Sequence, residues 1–93
     1  MQFMIYCLDK PGHAHVRADN RAAHLDYLKS GWISKVIVAG PLLTEDGNTM
    51  IGSLLTMELV DRAEAERFCA DDPYNKAGLF ASVTVRPWKK VLP

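Results

Sequence analysis

The sequence has no excess of charge of either sign: eleven Lys and Arg offset eleven Asp and Glu, for a formal net charge of zero. Such a chain has no overall field to concentrate nucleic acid or an anionic membrane around it, which argues against a polyanionic partner. Long apolar runs are also missing, since stretches such as Val36 to Ala39 are far too short to span a bilayer. The opening MQFMIYCLDK lacks a basic segment followed by a long apolar stretch, so the expectation is a cytoplasmic protein with no leader and no membrane association. There are only two cysteines, Cys7 and Cys69, in apolar settings and without a repeated spacing. They read as two buried thiols of a reducing compartment rather than a disulfide, and no chemistry is assigned to them. Neither G-x-G-x-x-G nor a phosphate-binding loop occurs, so no cofactor is expected. The His13-Ala14-His15 pair has no acidic or thiolate ligand at useful spacing, so no metal is expected either. The sequence also lacks the K/R-G-F-x-F pattern by which some antiparallel sheets bind RNA.

What is present is enough for one core. A chain of 93 residues that is 48% hydrophobic fits one domain spanning residues 1–93. Gln2 to Leu8 is a compact aromatic and aliphatic run closed by the turn signal Asp9-Lys10-Pro11-Gly12, and reads as the first strand. From about residue 15 to 30 the period of two is lost. Arg17, Arg21, His24 and Leu28 align at helical spacing, Leu25, Leu28 and the alanines supply an apolar stripe, and Gly31 is expected as a left-handed cap. Lys35 to Leu43 and Met50 to Leu59 form a hairpin around the EDGN turn at 45–48. Asp61 to Glu64 matches a capping box, with Val60 and Ala65 as a hydrophobic staple, and opens a helix running through Phe68 and Cys69. Phe80 to Trp88 is the last strand, and Pro87 places its end at a sheet edge.

The order strand, helix, strand, strand, helix, strand is the ferredoxin-like βαββαβ pattern: an α+β fold with an antiparallel sheet and both helices on one face. Strand residues alternate sides, so Phe3, Ile5 and Cys7 oppose Met4, Tyr6 and Leu8, and both sets are apolar. One set faces the helices and the other needs a cover. A second copy of the chain, sheet against sheet, supplies it, so a homodimer or a higher homo-oligomer is expected.

Asp72 directly before Pro73 reads first as an N-cap, with Pro73 opening a short helical turn that Gly78 ends. It also reads as the partner of His24, which the helical pattern places at the border of the apolar stripe. A carboxylate that fixes an imidazole's tautomer and stabilises the imidazolium is the general-base arrangement. Both readings stand at this level. Arg21, one turn before His24, reads either as a surface arginine or as the binder of a substrate's carboxylate or enolate oxygen. Gly40 and Pro41 end a strand, or let substrate approach the backbone. Ser53 is a plain strand serine or points its hydroxyl into the same cleft, and Tyr6 either lines that pocket or belongs to the core or an interface.

Taken together and in order, RAAHLDYL at 21–28, VAGPL at 38–42, IGSLL at 51–55 and DDPYNKAGLFASVTVRPWKKV at 71–91 resemble the YCII family, also called YciI-like proteins. The likeness covers nearly the whole chain and is loosest at KPGHAHVRA, residues 10–18. It implies a ferredoxin-like fold assembled as a dimeric α+β barrel, with an active site built on a histidine and an aspartate, which fall here on His24 and Asp72. The function this implies is a small cofactor-independent enzyme. Its dyad would move a proton on a small organic acid or a hydroxylated ring compound, in an elimination, isomerisation or hydrolysis. The contrasting readings are a non-catalytic metabolite-binding module on the same fold, and a cofactor-free monooxygenase.

Overall fold

The computed structural model describes residues 1–93. Strand β1 spans Gln2–Asp9, helix α1 Ala14–Lys29, β2 Val36–Leu43, β3 Met50–Glu58, α2 Arg62–Asp71, the short α3 Pro73–Lys76, and β4 Phe80–Pro87. The four strands form one antiparallel sheet in the order β2-β3-β1-β4. This is the ferredoxin-like arrangement, and β4, with its terminal Pro87, is an edge strand as the sequence indicates.

Alternation along the strands decides what is buried. Phe3, Ile5 and Cys7 of β1, Leu55 and Met57 of β3 and Val85 of β4 meet Leu28 of α1 and Ala65 and Phe68 of α2 in one core. Removing these apolar side chains from water, at about 25 cal/mol per Å², holds both long helices on the same face. The opposite face carries Met4, Tyr6 and Leu8, all half-buried, beside exposed Leu54 and Val38. The β1–β3 pairing sets Leu8 across from Gly52. A Cβ on Gly52 would collide with the Cys7 carbonyl oxygen, so this strand crossing requires glycine.

Three local expectations are corrected. Gly31 does not act as a left-handed cap: its φ is 158°, far from the left-handed helical value. Helix α1 instead closes through the Ser30 N–H, which donates to the carbonyls of Asp26 and Tyr27. The staple is absent, since Ala65 is fully buried while Val60 is 78% exposed. The capping box is half as expected: Asp61 Oδ1 accepts from the Glu64 N–H at 2.9 Å, but the Glu64 carboxylate reaches back to the Val60 N–H rather than to that of Asp61. Its other oxygen takes Lys35 Nζ at 3.0 Å. The Val60 hydrogen bond, followed by that of Lys35, holds the Glu64 carboxyl below its usual range.

The buried line of α1 also differs from the expected stripe. It consists of Arg17, His24 and Leu28, whereas Leu25 is 37% exposed. His24 therefore lies within the buried face, not at its border, and two polar residues are packed where an ordinary amphipathic helix would place aliphatic ones.

Candidate functional site

Asp72 lies between two helices because it serves both. It follows the last residue of α2 with extended backbone (φ −61°, ψ 126°), and Pro73 takes the first position of α3, where a missing N–H costs nothing. Gly78, at φ 74°, turns the chain away after this single turn. Asp72 Oδ1 accepts from the Tyr74 N–H at 2.9 Å and also from the His24 ring at Nδ1, again at 2.9 Å. A single carboxylate oxygen thus serves both the cap and the histidine. A carboxylate accepts only, so Nδ1 carries the proton and Nε2 is the basic nitrogen. Both side chains are buried, 11% exposed for His24 and 6% for Asp72.

His24 forms part of the wall of a cleft of about 200 Å³ between α1, the β2–β3 edge and α3. This is below the ~300–1,000 Å³ of pockets for drug-sized ligands and suits a single-ring compound. Of the residues singled out in the sequence, the cleft brings together His24, Arg21, Gly40, Pro41 and Ser53, with Asp72 behind the histidine. Tyr6 does not join them. It points to the opposite side of the sheet, paired across from Leu54 and Thr84. Gly40 contributes backbone only: a Cβ there would meet nothing within 4 Å, and strand alternation from Pro41, opposite Ser53, directs it away from the cleft. The absence of its side chain therefore opens no path for a ligand.

Arg17 and Tyr74, also in the cleft wall, are not among the residues expected there from sequence. Arg17 is buried against Asp9, with Nε to Oδ2 at 2.7 Å and Nη2 to Oδ1 at 2.8 Å, and Nη2 also donates to Ser53 Oγ at 3.0 Å. Burial opposes the arginine's charge, but the hydrogen bonds and charge of Asp9 more than offset it, so the guanidinium is held more firmly protonated than usual. Tyr74 stacks on the His24 ring at 4.1 Å between centroids. The Arg17 guanidinium carbon lies 4.7 Å from the same tyrosine's centroid. Burial, opposed by Arg17 and Arg21, pushes the Tyr74 phenol above its ordinary value. Arg21 stands at the exposed rim, where Nη1 approaches Met50 Sδ at 3.9 Å.

Neither thiol suits nucleophilic work at neutral pH. Burial first, then Cys69 and Asp72, pushes Cys7 up to about 12, and burial followed by Asp72 and Glu66 pushes Cys69 up to about 11, which leaves almost no thiolate. No helix is long and apolar enough to cross a membrane.

Comparison with known proteins agrees with this architecture. The YCII-related domain matches residues 1–89. Protein YciI of Escherichia coli is 32% identical over 100 residues, covering 98% of this chain and 99% of its own. Among solved structures, the 5-chloro-2-hydroxyhydroquinone dehydrochlorinase TftG of Burkholderia phenoliruptrix AC1100, in complex with 2,5-dihydroxybenzoquinone, superposes with a TM-score of 0.88 at 45% identity, covering 96% of this chain and 94% of that one. An antibiotic biosynthesis monooxygenase, at 12% identity and a TM-score of 0.54 over 98% of each chain, shares the fold alone. With a family match over nearly its entire length and a relative this similar, the chain belongs to the YCII-related family.

Proposed function

We propose that the chain is a cofactor-independent lyase that eliminates a hydrogen halide from a small hydroxylated aromatic ring, with His24 as general base and Asp72 as the group that orients it. The observation that carries this reading is the hydrogen bond of 2.9 Å from His24 Nδ1 to the buried Asp72 carboxylate, at the wall of a cleft sized for one ring. The 45% identity to a dehydrochlorinase of a chlorinated hydroxyhydroquinone supports the choice of substrate class.

The chemistry needs protons to move and no electrons from outside. Nε2 of His24 takes a proton from a ring hydroxyl, and the ring carbon bearing the halide accepts a proton as the oxygen becomes a carbonyl. A second hydroxyl proton then leaves as the carbon–halogen bond breaks and halide departs with its electron pair. Two hydroxyl protons are lost, one is gained at carbon and one is released. The net change is loss of HX and formation of a hydroxyquinone. An imidazole held in one tautomer by a carboxylate suits both the removal and the return of a proton. Arg21, free of any carboxylate partner at the rim, supplies positive charge toward an anionic oxygen or the departing halide. Anaerobic release of chloride from 5-chloro-2-hydroxyhydroquinone, without added cofactor, tests the proposal. No release above the uncatalysed rate contradicts it.

The same reading includes a homodimer formed through the face that carries Met4, Tyr6 and Leu8, because a half-apolar open sheet is covered most simply by its own copy. Light scattering is expected to give twice the chain mass or a multiple, and a monomer at micromolar concentration would count against it.

A further inference from the structure

Tyr74 is the second residue of α3, a helix of only four residues, yet it is 3% exposed. An aliphatic side chain would fill that space and anchor a single turn as well, so burial alone does not require an aromatic ring there. Its neighbours show what the ring adds. The His24 imidazole lies on its face, with centroids 4.1 Å apart and planes 15° from parallel. The Tyr74 N–H donates to the same Asp72 oxygen that accepts from His24. One residue therefore touches both members of the dyad, the carboxylate through its backbone and the imidazole through its ring. Tyr74 is itself braced. The Phe80 ring meets it edge-on at 6.0 Å, the Arg17 guanidinium carbon lies 4.7 Å from its centroid, and its carbonyl accepts from the Leu79 N–H at 3.1 Å.

The hydrogen bond to Asp72 does not orient the imidazole by itself. Hydrogen bonds stay effective over about 30° of bend, and the χ2 torsion of a histidine is broad rather than sharply staggered. Asp72 thus selects the tautomer and locates Nδ1, while the plane of the ring, and with it the direction of the Nε2 lone pair, is only loosely held. A flat surface in van der Waals contact removes that freedom, because tilting the imidazole against it loses contact at one edge and forces overlap at the other. We propose that Tyr74 is a positioning residue, whose face sets the plane of the His24 imidazole and so aims Nε2 at the proton to be moved. This role rests on the proton transfer assigned to His24 above. It makes turnover depend on a flat side chain at position 74 and not on the phenol hydroxyl.

The test compares wild type, Tyr74→Phe and Tyr74→Leu in steady-state chloride release from 5-chloro-2-hydroxyhydroquinone, with melting curves alongside. NMR relaxation of the His24 Cε1–H group is measured in the same proteins without substrate, its signal assigned by its loss in His24→Gln. Tyr74→Phe keeps the ring face and is expected to retain kcat within about threefold, whereas folded Tyr74→Leu should lose about 10–100-fold in kcat with KM within about threefold. The order parameter of the His24 ring should stay near ~0.85 in wild type and Tyr74→Phe, and drop below about 0.6 in Tyr74→Leu. Ring order kept in the folded leucine variant, ring order lost with turnover unchanged, or an equal loss of kcat in both variants overturns the inference. If Tyr74→Leu does not fold, Tyr74→Met takes its place, since it also fills the space without a flat face. Should neither fold while Tyr74→Phe does, Tyr74 is a structural residue and the inference falls. If wild type releases no chloride, the proposed function falls, and the ring-order comparison still decides whether Tyr74 holds His24.

Discussion

His24→Gln is expected to lower the rate of halide release by about 10²–10⁴-fold while the protein still folds. Glutamine keeps a polar group near Asp72 and Tyr74 but has no nitrogen that can take a proton at neutral pH. The fold survives because α1 remains anchored by buried Leu28 and by Tyr27, whose hydroxyl donates to the Phe68 carbonyl at 2.8 Å. Some stability is lost with the ring stack on Tyr74, worth about 0.5–1.5 kcal/mol, which lowers the melting temperature of a domain this size by several degrees, at ~4–8 °C per kcal/mol. Rate and melting curve, measured on the same preparation, separate the two effects. A folded His24→Gln protein with near-normal turnover would remove the histidine from the chemistry.

Asp72→Asn makes the second large effect and discriminates between the aspartate's two tasks. An asparagine oxygen caps a helix about as well as an aspartate oxygen, so the Tyr74 N–H stays satisfied and stability should change by less than about 1 kcal/mol. The charge opposite the imidazole is gone, however. An amide N–H can also turn toward Nδ1 and select the other tautomer, placing the proton on the nitrogen that must act as base. By analogy with carboxylate-to-amide changes in catalytic triads, turnover should fall by up to about 10⁴-fold. Unchanged turnover in a stable Asp72→Asn protein would reduce Asp72 to a cap. Because one oxygen accepts both hydrogen bonds, an amide oxygen in its place keeps the cap and an amide nitrogen there removes it, so the melting curve reports which way the amide is turned.

Much of this arrangement could be read from the sequence because it is local. The strands announce themselves as short apolar or β-branched runs bounded by turn residues, the EDGN turn and the Asp72-Pro73 cap by residue chemistry, and each needs only a few neighbouring residues. Errors arose where a local pattern competes with tertiary packing. The Val60–Ala65 staple is a valid pattern that fails because Val60 is turned to solvent. Leu25, which helical spacing assigns to the apolar stripe, is 37% exposed.

The Arg17 cluster was missed for a different reason. Its contacts join residues 8 and 36 positions apart in the chain, and no short motif encodes them. A signal was nevertheless available. Arg17, His24 and Leu28 repeat at i, i+7 and i+11, so an arginine stands on the helical face that also buries a leucine. The parity of β1, which sends Phe3, Ile5 and Cys7 toward the helices, sends Asp9 the same way. A charged residue on each of two facing apolar surfaces is costly unless they pair, and reading the two periodicities together would have predicted the contact. The orientation of Tyr6 follows from the same parity, which places it away from the cleft.

The most direct test of proton transfer by the His24–Asp72 pair is the fate of one hydrogen. When 5-chloro-2-hydroxyhydroquinone is turned over anaerobically in D₂O and the product is returned to H₂O, the mechanism predicts one deuterium retained on the ring carbon that carried chlorine, with one chloride released per ring. Mass spectrometry of the product reads this number. Chloride release without deuterium at that carbon, or with a requirement for an added oxidant or reductant, would contradict the account.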